Sequence, residues 1–317
     1  MLSGKKVFVT GGAGFIGTAL AARLADQNKV ILYDNLHRNA LKSTSLLNHP
    51  NVDFQQGDVL DATLLSRAME GANHVVHLAA IAGVDSVMES PVRTMRVNLL
   101  GTLNVLEAAH RLSSLERFVD FSTSEVFGTH AYKVEETHVT SQGSVGEARW
   151  TYAVSKLAGE YLTHSYYHEF AVPTVTVRPF NIYGPNQVGV GAIHHFIRRA
   201  LQNQAIEIHG DGSQIRAWCY IDDIVDALLL ILENPEARGE VFNIGNPRSI
   251  VTVFDLAKHI ISLSGSKSKI VFKPINYSDV EIRVPSIEKA RTLLGFDPKV
   301  DLEEGLQSTI AWYRTRL

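Results

Sequence analysis

Short apolar runs alternate with stretches of helical periodicity along the first two thirds of the chain. The apolar runs predict buried strands at KKVFVT, KVILYD, NVDFQQ, HVVHLA, RFVDFS and PTVTVRP. Between these strands, the sequence pattern predicts helices over residues 15–28, 62–70, 93–112, 152–170 and 193–203. Because strands and helices alternate strictly, we predict an α/β fold, a doubly wound parallel sheet of the Rossmann type with helices on both faces.

The predicted elements become shorter and less regular beyond Gln204. Strands are predicted at IEIHG, EVFNIG and IVFKP, and helices over 221–233, over 253–264 and twice near the carboxyl end. This change predicts a smaller lobe on the carboxyl edge of the sheet, where such sheets bind their ligands. We therefore divide the chain into a Rossmann domain, residues 1–178, and a mainly substrate-binding lobe, residues 179–317, some of whose segments return to the sheet.

Composition and charge exclude several classes of protein and site. The 317 residues are 45% hydrophobic, and 30 basic against 33 acidic residues give a net charge of −3, so no positive field favours nucleic acid or an anionic membrane. No apolar run reaches the roughly 18 residues of a membrane span. The chain has a single cysteine, Cys219, which argues against a disulfide framework. His194 and His195 have no acidic partner at metal-ligand spacing, which argues against a metal site. We expect a soluble cytoplasmic protein.

A glycine-rich turn joins the first predicted strand to the first predicted helix. In VFVTGGAGFIGTAL, Gly11, Gly14 and Gly17 allow a pyrophosphate to approach the backbone at the amino terminus of the helix. Asp34 ends the second strand, where a carboxylate can accept both ribose hydroxyls and repels a 2′-phosphate, which favours NAD. Arg38 leaves NADP open as an alternative, because an arginine can pair with that phosphate.

A tyrosine and a lysine stand four residues apart on the helix predicted over 152–170. At this spacing Tyr152 and Lys156 share one face of the helix. An ammonium beside a phenol lowers the pKa of the phenol and can also hold the cofactor ribose, so the tyrosine is usable as a base near neutral pH. The residues predicted to bind the cofactor are Gly11, Gly14, Phe15, Ile16, Gly17, Asp34, Asn35, Arg38, Asp58, Val59, Leu78, Ala79, Ala80, Asn98, Tyr152 and Lys156.

Ordered motifs along essentially the whole chain resemble those of the extended short-chain dehydrogenase/reductase family, in the group that modifies nucleotide sugars. They are TGGAGFIG, GDVLD, HLAA, VNLLGTLNVLEAA, STSEVFG, Tyr152 to Lys156, RPFNIYGP, RAWCYIDD and FNIGNP. The resemblance implies a tightly held NAD, oxidation of a UDP-sugar or another NDP-sugar at C4, and a two-domain fold whose Rossmann domain carries the catalytic residues. It also implies a homodimer formed by the helices near 93–112 and 152–170.

The same resemblance implies roles for individual side chains. Thr123 shares the hydrogen bond that moves the proton of the C4 hydroxyl, Tyr152 removes that proton, and Lys156 tunes Tyr152. Asn181 in RPFNIYGP and Arg216 in SQIRAWCYIDD hold the diphosphate or the sugar of the substrate.

The segment STSEVFG bears on the step that follows C4 oxidation. A 4-epimerase needs no acid or base at C5, whereas a 4,6-dehydratase has an Asp–Glu pair where this chain has Ser124 and Glu125. The segment most closely resembles that of UDP-glucuronate decarboxylases, serine and glutamate included. In that reaction the C6 carboxylate becomes part of a β-keto acid once C4 is oxidised, and it leaves as CO2. Ser124 then supplies a small hydroxyl to the substrate site.

Two further segments resemble the decarboxylases. ARWTY places Arg149 just before the base, and DVEIRVPSIEKA places Arg283 against the substrate carboxylate. AAIAGVDSVMESP instead lacks the proline that decarboxylases tend to carry just after the strand HVVHLA, and it resembles the loop of epimerases and dehydratases. We predict UDP-glucuronate decarboxylation, with UDP-sugar 4-epimerase, NDP-hexose 4,6-dehydratase and a non-catalytic NAD-binding regulator as alternatives. Either Glu125 is protonated or it destabilises the substrate carboxylate, because two like charges lie close together.

Overall fold

The computed structural model describes residues 2–275, 277 and 279–317. In this part of the chain, a sheet of seven parallel strands forms the centre of the fold. The strands along the chain are β1 (Lys6–Thr10), β2 (Lys29–Asp34), β3 (Val52–Gln56), β4 (His74–His77), β5 (Arg117–Phe121), β6 (His130–Val134), β7 (Thr174–Pro179), β8 (Ile182–Tyr183), β9 (Ile206–His209), β10 (Ile215–Ala217), β11 (Cys219–Tyr220), β12 (Val241–Ile244), β13 (Ile250–Thr252), β14 (Ile270–Lys273) and β15 (Ile282–Pro285).

The central sheet has the strand order β12-β7-β5-β4-β1-β2-β3, and every pairing in it is parallel. Its apolar runs are buried on both faces because alternate residues pack into different cores. Val7 and Val9 contact one hydrophobic cluster, and Phe8 between them contacts another. The prediction of a doubly wound parallel sheet is thus confirmed. The order reverses between β1 and β4, which is where such sheets bind nucleotides.

Helices cover both faces of the sheet and also form much of the carboxyl-terminal half. They are α1 (Phe15–Leu24), α2 (Ala62–Met69), α3 (Val84–Glu89), α4 (Pro91–Met95), α5 (Gly101–His110), α6 (Thr151–Phe170), α7 (Ala192–Leu201), α8 (Ile221–Glu233), α9 (Val253–Ser264), α10 (Glu288–Leu294) and α11 (Leu302–Arg314).

Two of the predicted helices differ from the observed ones. Helix α1 ends at Leu24 instead of residue 28, because the Asn28 amide donates to Leu24 O at 3.1 Å and closes the turn. The helix predicted over 93–112 starts at Pro91, contains a π-helical turn over Arg96–Leu100 and ends at His110. Helix α3 lies in the preceding segment, where no helix was predicted.

A second sheet, ordered β13-β10-β15-β6, was not predicted from the sequence. Its strands are short and carry charged residues, so they lack an apolar run. The register places Arg216 of β10 directly beside Arg283 of β15. Strand β6 comes from the amino-terminal half, whereas β12 lies in the central sheet beside β7. The boundary between lobes at residues 178 and 179 therefore stays a prediction.

Within residues 2–275, 277 and 279–317, no helix combines the length and the apolar character needed to cross a membrane.

Candidate active site

A cavity of about 360 Å³ lies at the carboxyl ends of the central strands, around the reversal of strand order. All of the predicted cofactor residues except Asn98 line it. It is also lined by residues that were not predicted. Ser122 follows β5 and Pro179 ends β7, both within motifs that could have indicated them, whereas Gln187 and Val190 lie in a loop without a recognisable pattern.

The glycine-rich turn has no room for side chains. Gly11 adopts a φ of +67°, and a Cβ on it would lie 2.7 Å from Ala79 N. A Cβ on Gly17 would lie 2.6 Å from Gly11 O. Gly14 precedes α1 without a side chain to cap the helix, so the first amide groups of α1 are available to an anion. The turn therefore fits a dinucleotide pyrophosphate.

Asp34 and Arg38 both line the cavity near the end of β2, but they have different hydrogen-bond partners. The Asp34 carboxylate accepts from Leu36 N at 2.6 Å and Ala13 N at 3.1 Å, which fixes its orientation towards the cavity. Burial raises the pKa of Asp34 although these bonds oppose the shift. Arg38 Nη2 donates to Ala82 O at 2.7 Å and so reaches across to the loop after β4. In this position the Arg38 guanidinium is bonded to the Ala82 carbonyl instead of being free to pair with the 2′-phosphate of NADP.

Asn98 is not among the lining residues, contrary to the prediction. It lies fully buried in the π-helical turn. Its amide accepts from Ile81 N at 2.8 Å and donates to Ile81 O at 3.0 Å and to Ser155 Oγ at 3.0 Å. Asn98 therefore ties the loop after β4 to α6, and it shapes the cavity from behind.

Tyr152 and Lys156 both face the cavity from α6. Lys156 is buried, and its Nζ has no hydrogen-bond partner among the residues that the structure describes. The prediction that the Tyr152 pKa is lowered is wrong for the protein alone. Burial raises it, the charge of Glu125 raises it further, and a hydrogen bond with Thr123 and the charge of Arg283 oppose the shift only in part.

The segment after β5 turns sharply and directs Glu125 away from solvent. Thr123 accepts from Glu125 N at 3.1 Å and so starts a short 3-10 turn over Ser124–Phe127. The Glu125 carboxylate accepts from Arg149 Nη1 at 2.7 Å and lies 3.4 Å from Arg283 Nη2. Ser124 is buried beside it, at 1% exposure.

Two carboxylates and three guanidinium groups form what we call the arginine cluster: Glu125, Arg149, Arg216, Asp279 and Arg283. Asp279 lies 3.7 Å from both Arg149 and Arg216, and sequence reasoning missed it although it stands in the quoted DVEIR segment. The cluster has one positive charge in excess, which favours an anionic ligand.

The cluster decides the charge of its central glutamate. Burial would raise the pKa of Glu125, but the charges of Arg283 and Arg149 and the hydrogen bond from Arg149 together lower it. Glu125 is thus ionised in the free protein, whereas the alternative that it is protonated beside a substrate carboxylate stays a prediction. Asn181 contacts the arginine cluster at Arg283. Its Oδ1 lies 3.5 Å from Arg283 Nη1, and its amide donates to Ala217 O at 2.8 Å.

Comparison with known proteins identifies the family. The model of the NAD dependent epimerase/dehydratase family matches residues 7–245. The chain belongs to this family. It is therefore an NAD-dependent enzyme, as the resemblance of its motifs implies.

Individual members of the family match nearly the whole chain. UDP-N-acetyl-alpha-D-glucosaminuronate decarboxylase of Bacillus cytotoxicus is 33% identical over 98% of this chain and 98% of its own length. UDP-glucuronic acid decarboxylase 4 of Arabidopsis thaliana is 34% identical over 98% of this chain and 69% of its own length. The crystal structure of UDP-glucuronic acid 4-epimerase from Bacillus cereus, in complex with UDP-glucuronic acid and NAD, has a TM-score of 0.90 at 31% identity, covering 98% of this chain and all (100%) of that one.

The residues of this chain fit the cofactor of the family. Gly11, Gly14 and Gly17 line the cavity without side chains, the Asp34 carboxylate faces it where a ribose acceptor would be needed, and the buried ammonium of Lys156 has donors to spare. In the described ranges, no group of three or more His, Cys, Asp and Glu side chains is arranged to hold a metal ion.

Proposed function

We propose that the protein acts on a nucleotide sugar and decarboxylates UDP-glucuronate. NAD, when bound, accepts the hydride from C4 of the sugar and later returns it. The C4 hydroxyl proton goes to Tyr152, and the resulting ketone makes the C6 carboxylate part of a β-keto acid. The C5–C6 bond then breaks, its electrons move to C5, and C5 takes a proton from solvent. Return of the hydride to C4 and of the Tyr152 proton to the C4 oxygen would give UDP-xylose, so UDP-glucuronate and one proton become UDP-xylose and CO2.

The observation that carries this proposal is the position of the arginine cluster next to the proton-transfer residues. Glu125 contacts Arg149 and Arg283 and raises the pKa of Tyr152, so the cluster and the base interact directly. A uronate brings a carboxylate to this place, and a cluster with an excess positive charge can bind it. A neutral hexose has no carboxylate to pair with Arg283, and the diphosphate that suits Arg216 is common to all the candidate substrates. The relatives named as decarboxylases support the same reaction.

Each side chain has a part in the proposed reaction. Thr123 and Tyr152 bond the C4 hydroxyl, and Lys156 holds the cofactor ribose and stabilises the ionised form of Tyr152. Arg283 binds the substrate carboxylate. The ionised Glu125 then lies close to that carboxylate, and the repulsion between them is relieved when neutral CO2 leaves.

We further propose that Arg216, a member of the arginine cluster, and the neighbouring Asn181 bind the diphosphate or the sugar of the substrate. Ser124 lies beside Glu125 and supplies a hydroxyl to the same site.

We also propose a homodimer. The homodimer suggested by the sequence is supported by large apolar side chains on the outer surfaces around α5 and α6. Leu100, Val154 and Tyr161 are all exposed there. Light scattering of the purified protein tests the dimer.

A 4-epimerase acting on UDP-glucuronate is the second candidate. The segment with α3 resembles the epimerase loop, and the Bacillus cereus enzyme of similar structure is a UDP-glucuronic acid 4-epimerase. An epimerase also binds a uronate carboxylate, so the arginine cluster serves it equally. The two reactions differ in whether the C5–C6 bond breaks.

Product analysis separates the candidates. The purified protein, supplied with NAD, is incubated with UDP-glucuronate, and the product is analysed by mass spectrometry while CO2 is trapped. We expect a UDP-pentose and stoichiometric CO2. A UDP-hexuronate of unchanged mass without CO2 would show the epimerase. Parallel incubations with UDP-N-acetylglucosaminuronate, UDP-glucose and dTDP-glucose test other sugars and the dehydratase, whose product has lost water.

A further inference from the structure

A row of polar side chains crosses the middle of the central sheet. The register aligns Thr10 of β1 with His77 of β4, His77 with Asp120 of β5, and Asp120 with Thr176 of β7. All four are at most 2% exposed. Thr10 Oγ1 and His77 Nδ1 are 2.7 Å apart, and His77 Nε2 lies 3.0 Å from Thr102 Oγ1, so one end of this polar row is hydrogen-bonded.

Asp120 is the charged member of the polar row and lacks the bonds that its neighbours have. Neither of its carboxylate oxygens has a hydrogen-bond partner among the described residues. A buried carboxylate in this state costs stability, and an apolar residue there would be better for folding alone. The cost suggests that Asp120 serves the reaction.

Asp120 lies behind α6, against the turn that follows Lys156. A Cβ on Gly159 would be 3.9 Å from Asp120 Oδ2 and 3.6 Å from Thr102 Cγ2, which is ordinary van der Waals contact, so the carboxylate lies directly beside the helix at this turn. Lys156 Nζ, one helical turn earlier, is buried and likewise has no partner in the described part of the chain. An unbonded anion and an unbonded cation thus share one buried region.

We propose that Asp120 is a positioning residue of the reaction, whose carboxylate keeps the buried Lys156 ammonium charged and in place from behind. Lys156 faces the cofactor cavity on one side and Asp120 on the other. The proposal rests on the part that Lys156 has in C4 oxidation, and it does not depend on decarboxylation as the following step.

The electrostatics of the other groups around Asp120 agree with this geometry. Burial raises the pKa of Asp120 to about 6, while Lys156 opposes the shift and Glu160 adds to it. Burial lowers the pKa of Lys156, and the charges of Asp120 and Glu160 oppose that shift. Glu160 already forms an ion pair with Arg178 at 2.7 Å. Burial and the charge of Lys156 lower the pKa of His77, so His77 is neutral. Asp120 is therefore the anion left for Lys156.

The test compares Asp120→Asn with wild type by two measurements. The first is the pH dependence of C4 oxidation, measured as reduction of the bound cofactor in a single turnover. The substrate is UDP-glucuronate or UDP-glucose, whichever reduces the cofactor. Without the carboxylate, Lys156 loses its proton more easily, so the alkaline limb should move to lower pH by about one unit. The second is the melting temperature of the protein, which should stay equal or rise because an unbonded buried charge is removed.

Two control variants separate charge from packing. Asp223→Asn changes another buried carboxylate, which accepts from Lys299 N at 2.7 Å and Val300 N at 3.3 Å, so it should lower the melting temperature and leave the alkaline limb in place. Gly159→Ala fills space beside Asp120 without removing a charge and should also leave the limb in place.

Three results would overturn the proposal. They are an unmoved alkaline limb in Asp120→Asn, a melting temperature that falls as in Asp223→Asn, and failure of Asp120→Asn to fold. Each would make Asp120 a structural residue. If cofactor reduction occurs only with UDP-glucose, the proposed substrate is wrong, while the comparison of the variants still decides the role of Asp120.

Discussion

The cofactor cavity and the arginine cluster adjoin each other but are built differently. In the cavity, backbone atoms make the closest approach at Gly11 and Gly17, and these residues come from one short segment of sequence. In the arginine cluster the side chains carry the charge, and Glu125, Arg149 and Arg283 come from segments far apart in the chain. Binding of a common dinucleotide thus needs local geometry, whereas recognition of a particular sugar needs long-range assembly.

The difference also appears in how the two regions hold their charges. Asp34 in the cavity is oriented by two backbone amides, whereas Glu125 is held by guanidinium groups that lower its pKa. A change at the cluster therefore alters the charge of its neighbours, and a change in the glycine-rich turn alters only shape. We expect substitutions in the two regions to have separable effects on binding and on chemistry.

The largest effect should come from Tyr152→Phe, which lies where the two regions meet. This change removes the proton acceptor at C4, so turnover of UDP-glucuronate should fall by about 10²–10⁴ while NAD binding stays near normal. Turnover assays and calorimetry measure the two quantities. Tyr161→Phe is the control, because Tyr161 lies on the same helix but is exposed. Loss of NAD binding in Tyr152→Phe would show that the two regions are not separable.

Glu125→Gln should block the second step and spare the first. The amide keeps the shape of the carboxylate but no longer repels the substrate carboxylate, so CO2 release should fall by about 100-fold, the equivalent of two pKa units of lost repulsion. Reduction of the cofactor by UDP-glucuronate should continue and should become visible as accumulated absorbance. The KM should not rise, because Arg283 loses its competing partner.

Glu147→Gln is the matched control for this substitution. Glu147 lies in the neighbouring loop and accepts from Trp150 Nε1 at 3.1 Å, outside the arginine cluster. The control should release CO2 as wild type does. Unchanged CO2 release in Glu125→Gln would mean that Glu125 only orients Arg149 and Arg283.

Arg283→Gln should weaken binding of the uronate more than it slows the chemistry. Removing one side of a buried charge pair raises the KM for UDP-glucuronate by about 30-fold. UDP-xylose has no carboxylate, so its binding, measured by calorimetry, serves as the internal control and should change little. Equal losses for the two ligands would place Arg283 at the diphosphate instead of the carboxylate.

Sequence alone predicted the cofactor region better than the arginine cluster, for physical reasons. The turn around Gly14 and the acceptor Asp34 are each determined by a strand and the residues next to it, which periodicity predicts. The pairing of Arg216 with Arg283 depends on β10 and β15, short strands without an apolar run. The ionised state of Glu125 depends on Arg283 and Arg149, which come from separate segments, so local patterns could not predict it. Asp279 stands in the DVEIR segment, but its contacts with Arg149 and Arg216 depend on the same long-range assembly.

The preference for NAD over NADP tests the cavity itself. Repulsion between Asp34 and a 2′-phosphate should favour NAD by about tenfold, or 1–2 kcal/mol, because the site is partly exposed to solvent. Competitive calorimetry with the two dinucleotides measures it, and Asp34→Ser should narrow the ratio. Equal affinities in wild type would mean that Arg38 releases Ala82 and pairs with the phosphate.

The smallest effect concerns Asp120, a buried carboxylate behind the cavity. Its folded pKa of about 6 exceeds the ordinary 3.8, so the charged form costs the folded state on the order of 3 kcal/mol. An acid with a raised folded pKa loses stability as pH rises between these two values. The melting temperature of Asp120→Asn minus that of wild type should therefore grow from pH 4 to 6 and stay constant above, reaching roughly 5 °C. A difference that is the same at every pH would mean that the folded protein does not shift the pKa of Asp120, whereas a difference that keeps growing above pH 6 would mean that Asp120 is neutral in the folded protein and that Lys156 has no anion behind it.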